Sequence, residues 1–267
     1  MRRSAYNCGY PSETPMSSDP TTSSAKVPEV TLVFWIIKIA ATTLGETGGD
    51  TVSMSMNLGY LVATAIFAVI FLIAVTAQIK SRRFHPFLYW ATIIATTTVG
   101  TTLADFADRS LGIGYTGGAT LLLALLIASL AIWYRSQGTL SVSSVSNPKA
   151  EIFYWVTIMF SQTLGTALGD WTADSADLGY GGSALLFLGL LALVAAAYFW
   201  TRISRTALFW TAFVLTRPLG AVVGDFFDKP HAEGGLALSR YTASGVLLAF
   251  IVGCVLLFKQ RPARQAH

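Results

Sequence analysis

Long apolar runs alternate with short polar breaks eight times between residues 30 and 258. The runs fall near 30–50, 58–79, 86–106, 113–134, 151–171, 178–200, 206–226 and 241–258. Each is close to the roughly 20 residues that carry a helix across a bilayer core. None alternates apolar and polar residues in the manner of a membrane β-strand. The pattern predicts an all-α, polytopic membrane protein of eight transmembrane helices.

The odd and even runs differ. Even runs such as LVATAIFAVIFLIAVTAQI are apolar all round and suit a lipid-facing position. The odd runs carry polar residues in a fixed register, and they repeat. FWIIKIAATTLGETGGD, YWATIIATTTVGTTLAD, YWVTIMFSQTLGTALGD and FWTAFVLTRPLGAVVGD align without a gap. Each holds a tryptophan (Trp35, Trp90, Trp155, Trp210), then a glycine ten residues on (Gly45, Gly100, Gly165, Gly220). Five residues further comes an aspartate (Asp50, Asp105, Asp170, Asp225). Self-similarity at a fixed spacing sets architecture. A repeat of two spans crosses the membrane in one direction each time, so the copies are parallel and related by an axis along the membrane normal. The simplest packing has four odd helices around a pseudo-fourfold axis with the even helices outside. The longer middle spacing leaves a two-plus-two arrangement open.

At 100° per residue, the positions four and seven before each aspartate share its face. Four before are Glu46, Thr101, Thr166 and Ala221; seven before are Thr43, Thr98, Thr163 and Pro218. Eight before, about 80° away, come Thr42, Thr97, Gln162 and Arg217. The candidate cation-binding or pathway residues are therefore Asp50, Asp105, Asp170, Asp225, Glu46, Thr43, Thr98, Thr163 and Gln162. The four aspartates are the candidate ligands if the ion is a metal. Lys38 and Arg217, charged at bilayer depth, are candidates for ion pairing or gating. The glycines each precede a small residue by four, a spacing that lets helices approach closely, and are read as packing positions. The tryptophans lie about 22 Å below the aspartates at 1.5 Å per residue, and are read as interface anchors.

Charge fixes the expected orientation. Of 18 Lys and Arg residues, 13 lie in the termini and in the connections after the second, fourth and sixth runs. The positive-inside rule then places both termini of a multi-pass protein in the cytoplasm. Ten of the 14 acidic residues lie at or beyond the outer ends of the odd runs, where they would concentrate cations. The net charge of +4 is thus a topology signal, and nucleic acid is not an expected partner.

The remaining composition bounds the rest. The chain has 267 residues, 53% of them hydrophobic and 12% charged, against roughly 25% charged in soluble domains. Residues 1–28, rich in Ser, Thr and Pro, read as a disordered cytoplasmic tail, followed by repeats at 29–82 and 83–135. A flexible serine-rich cytoplasmic loop at 136–148 leads to repeats at 149–202 and 203–260 and a short cytoplasmic tail at 261–267. Cys8 and Cys254 make neither a disulfide framework nor a metal cluster. His85, His231 and His267 lie outside the spans, and no nucleophile–base or HExxH arrangement is present, so neither an enzyme nor a cofactor is expected.

The recurrent Trp, Gly and Asp from Phe34 to Phe258 resemble a family of bacterial inner-membrane proteins built of four tandem two-helix repeats of unknown function. That resemblance implies the architecture and no activity. Glu46–Asp50 is also similar to the Glu-x-Gly-Asp motif of a cation/proton exchanger family, with Thr51 where that motif has a basic residue. The expected function is a cation channel or secondary transporter for a hard divalent ion or protons, with an outer carboxylate ring. The alternative is a structural or sensory membrane protein without transport. Lipid and a small cation are the expected partners, and a homo-oligomer is compatible with the sequence.

Overall fold

In the computed structural model, which describes residues 25–263, the eight runs are eight helices. They are α1 (Leu32–Asp50), α2 (Gly59–Lys80), α3 (Pro86–Asp105), α4 (Tyr115–Gln137), α5 (Pro148–Asp170), α6 (Gly179–Trp200), α7 (Arg205–Asp228) and α8 (Arg240–Leu257). Six are long and apolar enough to cross a membrane; α1 and α5 are more polar. Those two are copies of α3 and α7 and sit beside them inside the bundle, where neighbouring helices rather than lipid receive their polar groups.

The inner helices form a closed ring in the order α1, α3, α5, α7, with α7 returning to α1. Each even helix covers the inner helix of the next repeat rather than its own: α2 lies on α3, α4 on α5, α6 on α7, and α8 on α1. The pseudo-fourfold arrangement is thus the one adopted. A β-carbon on Gly45 would meet Thr97, one on Gly100 Gln162, one on Gly165 Arg217, and one on Gly220 Thr42. The glycine of each inner helix therefore faces the residue eight before the aspartate on the next helix, four times around. Gly49, Gly169 and Gly224 meet Thr101, Ala221 and Glu46 one turn further along. Missing side chains at these crossings bring the four backbones together.

The first three inner helices end alike. Directly after the aspartate, each continues as one π-helical turn: Thr51–Ser55, Phe106–Ser110 and Trp171–Ser175. A left-handed residue follows seven after the aspartate (Asn57, Gly112, Asp177), and a left-handed glycine two further on (Gly59, Gly114, Gly179). Glycine carries no steric penalty there, so this turn reverses the chain into the even helix. The fourth copy departs: α7 runs on to Asp228, and a 3-10 turn at His231–Glu233 replaces the π turn.

At the opposite, tryptophan end the structure corrects two expectations. The serine-rich connection is packed: Val145 is buried, its carbonyl accepts from Lys26 N at 3.1 Å, and the Leu140 carbonyl accepts from Trp210 Nε1 at 3.0 Å. Residues 25–28 are not a free tail either. Ala25, Lys26 and Val27 are buried, and Lys26 Nζ lies 2.6 Å from Oε1 of the buried Glu151. Pro28 forms a short bridge with Pro262, joining the two ends of the described residues. The rest of the expected tails, with Cys8, falls at 1–24 and 264–267, outside the described residues.

The tryptophans are a third correction. Trp90, Trp155 and Trp210 are buried and only Trp35 is partly exposed, so three of the four do not line a lipid interface. They stack with Phe34, Tyr89, Tyr154, Phe209 and Trp133 into an aromatic layer across this end. The hydroxyls of Tyr89 and Tyr154 meet at 2.6 Å within it. A ring narrow enough for glycine crossings leaves no route for these side chains except into one another.

Candidate functional site

Asp50, Asp105 and Asp170 end their α-helices, Asp225 stands three residues before the end of α7, and all four are buried. One oxygen each from Glu46, Asp50 and Asp105 lie within 4.8 Å of one another, as do oxygens of Asp50, Asp225 and Asp228. The ring carries its own cations. Arg109 bridges two repeats, with Nε 3.2 Å from Asp105 and Nη2 3.4 Å from Asp170. Lys229 bridges the other two, with Nζ 3.2 Å from Asp225 and 3.4 Å from Asp50. Arg240 stands behind, 2.7 Å from Asp228 and 3.8 Å from Asp50. Burial works against the charge on Lys229, yet Asp225 and Asp50 prevail and hold its ammonium above the ordinary lysine range. The backbone is fourfold and the charge pattern is twofold.

Arg109, Lys229 and Arg240 lie in the connections after odd runs, and none of them is among the candidates read from the sequence. The signal was available in the register: four after the aspartate stand Met54, Arg109, Asp174 and Lys229. One turn of helix returns such a residue to the carboxylate. A cavity of about 770 Å³ opens above the ring, lined by Arg109, Tyr115, Asp174, Tyr180, Lys229 and Arg240 among others. Tyr115 and Tyr180 border this vestibule.

Rooted two turns below Asp225, Arg217 is fully buried and reaches all three other inner helices. Its Nη2 is 2.9 Å from Glu46 Oε2 on α1, and 2.5 Å from Thr101 Oγ1 on α3 and from Thr166 Oγ1 on α5. Thr101 in turn lies 3.2 Å from Glu46 Oε2, to which its hydroxyl can donate. The side chain thus crosses the bundle axis and ties the ring together. Lys38, also fully buried, donates to Gln162 Oε1 at 3.5 Å from the facing helix. Its Nζ lies 4.2 Å from the centre of the Phe213 ring. At the same repeat position as Lys38, the residues Ile93, Ile158 and Phe213 are apolar and fully buried.

The structure separates the candidates into two groups. It brings Asp50, Asp105, Asp170, Asp225, Glu46 and Arg217 together, with Lys38 and Gln162 beneath. Thr43, Thr98 and Thr163 do not join them: each hydroxyl donates to the carbonyl four residues back, at 3.0, 2.8 and 3.0 Å. Such back-bonding satisfies a threonine in an apolar helix without any ligand. Thr101 and Thr166, on the aspartate's own face, take the place the more distant threonines were expected to fill.

The repeat seen in the geometry is also a recognised one. The family model described as Repeat of Unknown Function (DUF347) matches four times, at residues 33–84, 88–139, 153–204 and 208–261. The chain belongs to this family. Each DUF347 repeat therefore comprises one inner helix, its terminal turn and the outer helix that covers the following repeat. No curated protein and no solved structure shows significant similarity to the chain. The DUF347 match brings four copies of one element and no chemistry, so function has to be read from where the copies differ: Glu46, Gln162, Arg217, Lys38, Arg109 and Lys229.

Proposed function

We propose that this protein is a secondary transporter of a small cation, loading from the vestibule onto the carboxylate ring. The observation that carries the reading is the ring itself: five buried acids at membrane depth, held by Arg109, Lys229 and Arg217. Ionisable groups inside a membrane bundle are expensive and mark ion or substrate pathways. Oxygen donors alone suit hard ions or protons. An arriving cation would displace the lysine or arginine from its carboxylates, and release of the cation would let it return. A channel is the weaker form of the idea, because Arg217 and Lys38 stand on the axis and the aromatic layer closes its far end. On the orientation set by the basic connections, the vestibule opens outward and the aromatic layer faces the cytoplasm of the bacterial inner membrane.

One observation favours a structural or sensory role: every ring aspartate already has a cationic partner within 4.0 Å. Flux decides. Proteoliposomes containing the wild type and the Asp105→Asn/Asp170→Asn variant would be challenged with Mn²⁺, Mg²⁺, Ca²⁺, K⁺ and a proton gradient. Uptake of one ion, lost in the double variant, supports transport. Absence of flux for every ion from monodisperse protein favours the structural role.

A further inference from the structure

Below the carboxylate ring the balance of charge reverses. Lys38 and Arg217 bring two basic side chains to a fully buried layer, and the one acid that reaches it is Glu46, the deepest member of the ring. The layer is also rich in unused donors. Arg217 Nη2 is engaged, but its Nε and Nη1 have no partner, and neither has Gln162 Nε2. Lys38 has the single 3.5 Å bond to Gln162 Oε1 and the Phe213 ring. The Thr97 hydroxyl is likewise unpaired, but it lies in the α1–α3 crossing against Gly45. Lys38, Gln162 and Arg217 come from α1, α5 and α7, and all three are fully buried. Gln162 and Arg217 share one register position, and the Lys38 Nζ reaches across to Gln162.

Unpaired buried donors cost stability, and an uncompensated charge costs more. Water would satisfy the donors; an anion would satisfy them and balance a protonated Lys38 as well. We propose that Lys38, Gln162 and Arg217 form a binding site for a small monoanion, of the size of chloride or formate. Packed residues limit its size: Thr101 and Thr166 on one side, Ile93, Ile158 and Phe213 on the other. The site binds an anion on the axis beneath a ring that suits cations, so the two differ in sign and in depth. It does not depend on the transport reading, because occupancy is measured without flux.

The test is equilibrium dialysis of the purified full chain in detergent against radioactive chloride, with melting temperature recorded in parallel. Sodium gluconate, too large for the site, is replaced stepwise by chloride, bromide or formate at constant ionic strength. Saturable binding of about one chloride per chain is expected. A rise in melting temperature of roughly 5 °C should appear about a hundredfold above the Kd. Lys38→Met removes the charge while keeping the length of the side chain, and should abolish both signals in a protein that remains monodisperse. Lys80→Gln, at an exposed position near the tryptophan end, should keep them. No chloride bound by the wild type, or equal binding by Lys38→Met, overturns the site.

Discussion

Gly220 in α7 approaches Thr42 in α1 so closely that a β-carbon at Gly220 would overlap the threonine side chain and crowd its backbone. The Thr42 hydroxyl donates across the same crossing to the Thr216 carbonyl at 3.2 Å. This contact joins the last repeat to the first, and it matches the contact between each earlier pair. Gly220→Ala should therefore open the ring, at a cost of about 1–3 kcal/mol for overpacking. Gly48→Ala, in the same kind of helix but facing open space, should cost nothing comparable. Melting temperatures of the two variants check the difference, and equal losses would contradict the crossing.

Arg217 should be the most sensitive side chain in the bundle. Arg217→Met leaves Glu46 buried without its cation and should destabilise by about 3–5 kcal/mol. Adding Glu46→Gln removes the stranded charge and should recover a good part of that loss. Chemical unfolding in mild detergent of the single and double variants supplies the cycle, and additive losses would show that the two residues are not coupled.

The twofold pattern of bridging cations makes a separate forecast. Arg109→Gln should perturb the Asp105/Asp170 side and Lys229→Gln the Asp225/Asp50 side. Each should strengthen binding of a divalent cation, because a carboxylate pair is freed of its internal counter-ion. Calorimetric titration with Mn²⁺ and Ca²⁺ would measure it. A lower affinity in both variants would mean the cations support the site rather than compete for it.

At the tryptophan end, Lys26 holds Glu151. Lys26→Met should cost about 3–5 kcal/mol by leaving a buried carboxylate unpaired, and Lys26→Met/Glu151→Leu should recover most of it. Protease susceptibility of the segment around residues 25–30 should rise in the single variant and return towards normal in the double one.

The eight helices and the ring were legible because hydropathy sets helix length and the Trp–Gly–Asp register recurs four times. The sequence could also place Arg217 beside an acid, since a buried guanidinium needs one. The bridging role of Arg109 and Lys229 was missed because they looked like loop charges. The π turn that continues past the aspartate, absent from any hydropathy trace, keeps Arg109 on the helix, one turn above the carboxylate. Trp90, Trp155 and Trp210 misled for a related reason: tryptophan near a helix end usually marks the lipid interface. Here the helix faces are fixed by the glycine crossings, and these indoles turn inward. Lys26 and Glu151 lie far apart in sequence within polar stretches, and nothing local announces that they meet.

Because each outer helix covers its successor, the protein has the logic of a clasped bracelet rather than a string of beads. The clasp is α8 lying on α1, beside the meeting of Pro28 and Pro262. A circle closed in this way has no privileged starting link. An excised repeat would lack a cover for its own inner helix, so the smallest independent unit is the whole circuit. The ion pairs impose the same indivisibility on the two halves: Arg109 with Asp170, Lys229 with Asp50 and Arg217 with Glu46 each join a cation from one half to an acid of the other.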